Sequence, residues 1–525
     1  MRRSMTTTAV APAIGRRRDM TRMAPVGAIL ALAVVGVALR SVGWFPSNWN
    51  INLADPIDSV HDWVRDNQFT HPLFTWFLGP FSDFIDWALD SLTHQLETLP
   101  WFALPLVSFL LVARTGRWLT ATVAGVAIWL PGMFGLWEPT MRTLSLMLVS
   151  VAISVVVGTP LGVAAGLNRR VYAFSRPVLD AMQTVPSTAY LVPAVLLFGI
   201  GQVPAAVATV VYALPPVVRL TALGIRRVPA ETVESARMFG SSPVQLLVKV
   251  QLPQAAPSIM TGINQTINMA LGIIVIAALV GAGGLGQEAL DTLRLRSPGR
   301  GLVVGVAIVA LAITLDRVSR SFIERARPGV DGSGLDSGSR RPIAVGVTLA
   351  VLVALVVGRQ LDWTAFPGEW GVHWADWVND LVRWIRDHWG RQTKWLNDFI
   401  VRDVHVRITS WLRQSVAWPV PIAAAALAGF AVRGWRLALF CGAGVTTIGL
   451  VGLWSPALGT LVQVLIAVVL AMVIAVPIGV LAGRRPRVEQ AIGPVLDALQ
   501  TIPPLIYAIP FVMIFDIGIV PGGIA

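Results

Sequence analysis

The stretch "LDAMQTVPSTAYLVP", Leu179–Pro193, returns as "LDALQTIPPLIYAIP", Leu496–Pro510. Asp180, Gln183, Thr184, Pro186, Tyr190 and Pro193 reappear as Asp497, Gln500, Thr501, Pro503, Tyr507 and Pro510, all at an offset of 317 residues. One proline-containing apolar run says little. Two at a fixed offset indicate duplication, and the offset recurs. Trp101 matches Trp418, "GLWEP" at 135–139 matches "GLWSP" at 452–456, and "PLGV" at 160–163 matches "PIGV" at 477–480.

Of the 525 residues, 55% are hydrophobic and 13% charged, where soluble domains carry about 25% charged residues. Long apolar runs recur, among them 24–39, 144–167, 263–280 and 302–315, and such runs are the material of membrane spans. Hydrocarbon requires the backbone to satisfy its own polar groups, so the expected fold is all-α, a polytopic membrane protein. The first run lacks a clear small-residue cleavage site and is followed by many more, so it does not read as a signal peptide. A lone Cys441 rules out an intramolecular disulfide or a thiolate metal cluster. The net charge of +12 raises nucleic acid as a partner, but the arginines sit in short loops between apolar runs. The positive-inside rule accounts for that placement, and no nucleic-acid partner is expected.

Spans are expected at 24–42, 100–113, 118–136, 141–167, 177–199, 203–222, 256–282 and 302–320. The tail with Arg2, Arg3, Arg16, Arg17, Arg18 and Arg22 is assigned to the cytoplasm, and every second loop then holds the arginines. This predicts a multi-pass protein of the bacterial inner membrane with its N-terminus inside. The pattern restarts after the Gly/Ser-rich stretch "RARPGVDGSGLDSGSRRP", which has linker composition. An even number of spans per copy orients both copies alike, giving two parallel tandem copies of one bundle. The domain reading is a basic tail (1–23), a span with a Trp-rich region (24–99) and a first bundle (100–322). A cytoplasmic linker (323–341), a second span with its Trp-rich region (342–416) and a second bundle (417–525) follow.

In the second Trp-rich region, Trp374, Trp377, Val378, Leu381, Trp384, Ile385 and Trp389 fall largely on one helical stripe; Ile57, Val60 and Val64 do so more weakly in the first. Such helices either lie in the membrane interface with their indoles at headgroup level or form a small cap on the outer surface. The second copy is read as incomplete, because Ala525 aligns with Ala208 early in a span. The chain then reads either as a fragment of a full duplication or as a degenerate second copy.

The longest loop of the first half is "RRVPAETVESARMFGSSPVQLLVKVQLPQAAPS". Pro229 suits a first helical turn, Glu231 and Glu234 favour its positive end, and Gly240 supplies a left-handed C-terminal cap, giving a helix of about 11 residues. Ser242-Pro243 opens a second short helix that Leu252-Pro253 is expected to close. Local physics alone would make this a surface connector. The spacing says more. Glu234-Ser235-Ala236 with Gly240, followed nine residues later by Val250, Leu252 and Pro253, resembles the signature loop of ABC importer permeases. Ser235 and Val250 are mild departures from its usual Ala and Ile. "YALPPVVRLTALGI" at 212–225, "VQLPQAAPSIMTGINQT" at 250–266 and "VGAGGLGQEAL" at 280–290 resemble the glycine betaine/proline permeases of that class.

The resemblance implies that loop 229–253 docks on separate ABC ATPase subunits, two copies expected, which bind ATP and Mg. It implies also an extracytoplasmic binding protein that delivers the solute, and a path between two bundles. The repeated 15-mer would be the inner helix from each bundle, kinked by Pro186, Pro193, Pro503 and Pro510. Gln183, Thr184, Tyr190, Gln500, Thr501 and Tyr507 either line the path or pack the bundle through hydrogen bonds. Asp180 and Asp497, beside arginine-rich loops, read as terminal polar groups.

Neither lysine, Lys249 or Lys394, lies in a phosphate loop, so ATP hydrolysis belongs to a partner. "GAGGLG" at 281–286 follows no strand and reads as a flexible span end rather than a dinucleotide loop. The six histidines show no metal spacing, and no catalytic constellation or resident cofactor is expected. An aromatic cage for a quaternary amine belongs in the binding protein, since the tryptophans sit where interfacial anchoring explains them. The expected function is the permease of an importer for glycine betaine, proline or a related compatible solute. The alternatives are another amino acid or small amine as cargo, and an ion-coupled carrier. The latter calls for a relay of intramembrane ionisable groups, which the spans nearly lack.

Overall fold

The computed structural model describes residues 44–295, 297–326 and 374–501, with scattered positions within 356–368 and 511–515. No strand occurs among the described residues. They form two compact units, one gathering residues 61–390 and 481–517 and the other 44–60 and 391–480.

The larger unit holds the first bundle. After α1 (Ala54–Asn67), α2 (Gly79–Glu97) packs Ile85 and Leu89 fully buried against Leu146, Ala205 and Ile273. The short α3 (Ala103–Ala113) and α4 (Trp118–Met133) follow. At about 1.5 Å per residue, the 11 residues of α3 make roughly 16 Å, too short to cross hydrocarbon alone. The expected span at 141–167 is α5 (Trp137–Leu167), 31 residues long. A span expected over 177–199 is instead broken into α6 (Arg169–Thr184), a 3₁₀ turn at Ser187–Tyr190 and α7 (Leu191–Phe198), with a bend of 108°. α8 (Gln202–Arg226), the loop helix α9 (Ala230–Met238), α10 (Leu252–Ala277), α11 (Gly284–Arg294) and α12 (Pro298–Ala326) complete the bundle. The expected span at 24–42 lies outside the described residues.

What holds this bundle is close approach of backbones. Gly158, Gly162 and Gly166 recur every four residues along one face of α5, which meets α8 there. A Cβ on Gly162 would lie 2.6 Å from Thr221 Cβ and 2.8 Å from the Val218 carbonyl oxygen; one on Gly166 would lie 2.8 Å from Ile225 Cβ. A Cβ on Gly158 would run into Val217 Cγ1. In lipid there is no hydrophobic drive between helices, so contact through small residues and interhelical hydrogen bonds takes its place. Those bonds are present: Ser145 Oγ donates to the Leu89 carbonyl at 3.0 Å, and Thr314 Oγ1 to that of Ala124 at 3.1 Å. Met141, Met147, Leu285, Ile308 and Leu311, from α5, α11 and α12, fill the adjoining core.

Rather than a flexible span end, "GAGGLG" forms a packed turn. Gly281, Gly283 and Gly284 take φ of 86°, 72° and 67°. The Leu285 N–H donates to Thr143 Oγ1 at 2.8 Å, and Leu285 itself is fully buried. These dihedrals favour glycine because a Cβ is strained there.

In the second half come α13 (Trp374–Asp398), α14 (Arg407–Ser415), α15 (Pro419–Arg433), α16 (Trp435–Leu450), α17 (Trp454–Arg484) and α18 (Pro486–Thr501). α17 reproduces the length of α5, 31 residues. On α13, Val378 and Val382 are buried while Trp377, Trp384 and Trp389 stand more than half exposed. On α1, Val64 is buried, with Ile57 and Val60 exposed.

Overpacking a tight core costs about 1–3 kcal/mol. Gly162→Val is therefore expected to lower the thermal midpoint of the purified protein by several degrees. Gly272→Ala, whose added Cβ meets nothing within 4 Å, should leave it unchanged or slightly raised. Thermal unfolding in detergent checks both.

Candidate coupling loop and broken helix

α8 ends at Arg226, and the chain leaves the bundle for the loop. Pro229 stands at the N-cap (φ −55°, ψ 135°), one residue ahead of the first helical residue, so α9 has nine residues, two fewer than expected. Its far end is closed by a Schellman turn: Gly240, at φ 76°, donates to the Arg237 carbonyl at 2.9 Å, and Ser241 to that of Ala236 at 3.2 Å. Gly240 thus does what its place in the sequence suggests. Ser242 opens the next segment with a capping box, accepting from the Gln245 N–H at 3.3 Å while Gln245 Oε1 accepts from the Ser242 N–H at 2.9 Å.

Leu252-Pro253 does not close that second helix. The segment widens into a π-helix over Leu246–Gln251 and runs straight on into α10. The reason lies in the hydrogen-bond register. The Leu252 N–H still reaches back five residues to the Leu247 carbonyl, and the next residue, Pro253, has no N–H to place. A proline at the switch from π to α register costs no bond.

The loop turns its signature outward. Glu231, Glu234, Ser235, Gly240 and Pro253 are exposed, and Ala236, Val250 and Leu252 are half-buried. Leu246 and Gln251 are buried at its base. Four apolar side chains missed in the sequence reading now stand out: Met238 and Phe239 are 89% and 90% exposed, and Val244 and Val248 are also exposed. Their signal was present, as apolar residues in an otherwise polar loop. Together they make an apolar tip on a capped helix, a shape suited to a cleft in another protein.

The broken helix brings the first-copy path residues to one place. α6 stops at Thr184, Pro186 takes φ −55° and ψ 138°, and Tyr190 folds back so that its hydroxyl donates to the Met182 carbonyl at 2.7 Å. That bond caps a carbonyl left open by the break, as apolar surroundings demand. Thr184 Oγ1 donates to the Ala181 carbonyl at 3.0 Å. Gln183, Thr184, Pro186 and Pro193 are exposed on this bundle and Tyr190 is half-buried. Of the second-copy counterparts, Pro503, Tyr507 and Pro510 and the side chains of Gln500, Thr501 and Asp497 lie outside the described residues.

Asp180 is no isolated ion site. It pairs with Arg219 of α8 and lies 3.9 Å from Arg176 of its own helix. The three line a cavity of about 450 Å³ with Tyr172 and Arg226, whose guanidinium sits 3.8 Å over the Tyr172 ring.

Residues 158–328 match the family described as binding-protein-dependent transport system inner membrane component. The trimethylamine N-oxide transport system permease protein TmoV of Ruegeria pomeroyi is 32% identical over 97% of this chain and 79% of its own length. The glycine betaine transport system permease protein OpuAB of Bacillus subtilis is 40% identical over 52% of this chain and 94% of its own. The glycine betaine/proline betaine transport system permease protein ProW of Escherichia coli is 40% identical over 53% and 79%. One relative thus spans both repeats, and another fits almost whole within about half of the chain. These matches do not favour an ion-coupled carrier. The chain belongs to the binding-protein-dependent ABC importer permeases of the inner membrane, a non-enzymatic component whose ATPase is a separate subunit.

Proposed function

We propose that this chain forms the membrane path for a small compatible solute, glycine betaine or proline or a close relative, and that loop 229–253 couples this path to the ATPase. The observation that carries the reading is the loop tip, where a helix closed at its C-terminal end by a Schellman turn presents Met238 and Phe239 almost wholly exposed. Glu231, Glu234, Ser235, Ala236 and Gly240 shape that helix; Val250, Leu252 and Pro253 root it in α10. Two ATPase subunits are expected, one for each bundle of a parallel pair, with a binding protein on the other side of the membrane. The domain boundaries at 100, 323 and 417 and a cytoplasmic N-terminus belong to the same proposal. The arginine-rich loops support that orientation.

For the path, the proposal takes Gln183, Thr184, Pro186, Tyr190 and Pro193 of the first repeat, with Gln500, Thr501, Pro503, Tyr507 and Pro510 as their counterparts. What supports it is a break of 108° in the segment, with polar side chains exposed beside it. Irregular backbone at membrane depth is tolerated where it lines a cavity or is buried in protein. For the cargo, the support is that relatives over half the chain or more are named for glycine betaine, proline betaine and trimethylamine N-oxide.

Three outcomes are expected. Gly240→Val puts a β-branched residue at φ 76°, where a Cβ costs about 1–2 kcal/mol, yet its Cβ meets nothing within 4 Å. The damage stays in the cap. Uptake in reconstituted vesicles should fall by an order of magnitude or more while the thermal midpoint holds, and Glu234→Lys should do likewise. Full uptake by either variant would remove the loop from the coupling role. Tyr190→Phe leaves the Met182 carbonyl without its partner and should cost about 1 kcal/mol of stability, with uptake lowered; calorimetry and transport assays read the two effects. Finally, ATPase stimulation should be greatest with a binding protein loaded with glycine betaine, proline or a related compatible solute. Equal or greater stimulation by an amino acid other than proline would overturn the cargo assignment while leaving the coupling loop intact.

A further inference from the structure

Phe45-Pro46 in the first repeat and Phe366-Pro367 in the second each open a Phe-Pro-x-x-Trp run ahead of that repeat's Trp-rich helix. Each phenylalanine is seated in the other repeat. Phe45 meets Trp418 at 5.1 Å between ring centroids and 69° between planes, and Trp454 at 5.5 Å and 32°. Phe366 meets Trp101 at 5.8 Å and 67°, and Trp137 at 5.8 Å and 35°. Trp101 and Trp137 are the counterparts of Trp418 and Trp454 at the repeat offset of 317. The same pair of tryptophans therefore receives the same phenylalanine twice, once edge-on and once tilted.

A glycine forms the third wall of each pocket. Gly132 and Gly449 are counterparts, and a Cβ on either would overlap the ring of the phenylalanine seated there, Phe366 and Phe45 respectively. Each starts an equivalent turn, with Gly135 donating to the Gly132 carbonyl at 3.0 Å and Gly452 to that of Gly449 at 3.0 Å. A backbone hydrogen bond fastens each arm nearby: Ile51 N–H to the Leu450 carbonyl at 2.6 Å, and Trp101 N–H to that of Trp363 at 3.2 Å. Each contact set falls within one of the compact units, whose membership crosses the repeats: residues 44–60 group with 391–480, and residues up to 390 with the first bundle.

Aromatic pairs prefer such edge-on and offset geometries, so a pocket of two indoles and a glycine selects for ring shape as well as apolarity. We propose that the two repeats exchange these arms. The Phe-Pro arm of each is the plug for the Trp–Trp–Gly pocket of the other, and this reciprocal clasp, in addition to the linker, holds the two halves of the permease together. The partner each pocket fits is the arm of a second repeat of this kind.

The test uses the full chain in membranes, with Cys441→Ser and a protease site placed in the linker within 329–338. Ile51→Cys with Leu450→Cys, treated with a short bismaleimide and then cleaved, should keep the halves joined on a denaturing gel. Ile51→Cys with Met133→Cys, the counterpart of Leu450 in the arm's own repeat, should let them separate. Separation with the Ile51–Leu450 pair, with the Ile51–Met133 pair instead cross-linked within its own half, would overturn the exchange. These positions leave the rings intact, so a folding defect does not decide the result. The clasp itself is read from Phe45→Ala with Phe366→Ala. After linker cleavage in detergent, co-purification of the halves should be lost in this variant and kept in the parent, and undiminished recovery would refute a holding role.

Discussion

The fold rests on how closely α5 can approach α8. Three glycines at four-residue spacing leave no Cβ where the two helices come closest, so that Val217, Thr221 and Ile225 of α8 lie where those atoms would be. Inside hydrocarbon, apolar side chains gain nothing by leaving lipid for protein, and such contact is a main source of helix association. Both candidate elements adjoin α8: the broken segment packs Leu179 against Val217 and Val218, and loop 229–253 continues from the last turn of α8.

The broken helix and the loop answer opposite demands. At the break, the prolines interrupt the backbone ladder, and the Tyr190 hydroxyl supplies the missing donor to the Met182 carbonyl. In the loop, glycine and serine close helix ends so that a short helix stays formed. The local hydrogen bonds are thus spent on shape, which leaves Phe239 and Met238 free of the bundle and available to a partner. An importer that borrows its energy from a separate ATPase requires such an attachment.

Much of this was legible in the chain. The offset of 317 exposed the duplication, Gly240 and Ser242 marked the ends of the loop helices, and Pro186 marked the break. The size of the bend was not legible, because proline forbids a bond without setting a direction. Pro253 misled for a related reason: a helix stop in α register is harmless where the register is π. The glycines at 158, 162 and 166 were in plain view, yet their partners Thr221 and Ile225 lie more than fifty residues away and only packing identifies them. "GAGGLG" read as loose because glycine permits flexibility, and the structure uses the same freedom for three positive-φ residues in a packed turn. Repetition likewise could not tell which tryptophan pair each Phe-Pro arm would occupy.

The central claim is that the tip of loop 229–253 touches the ATPase. Phe239→Cys in a Cys441→Ser chain, co-expressed with the ATPase and treated with a short thiol cross-linker, tests it directly. A product joining this chain to one ATPase subunit is predicted at position 239 and not at Trp76→Cys, an equally open site at 82% exposure on the segment before α2. Cross-linking at 76 and none at 239 would contradict the account and move the docking surface elsewhere.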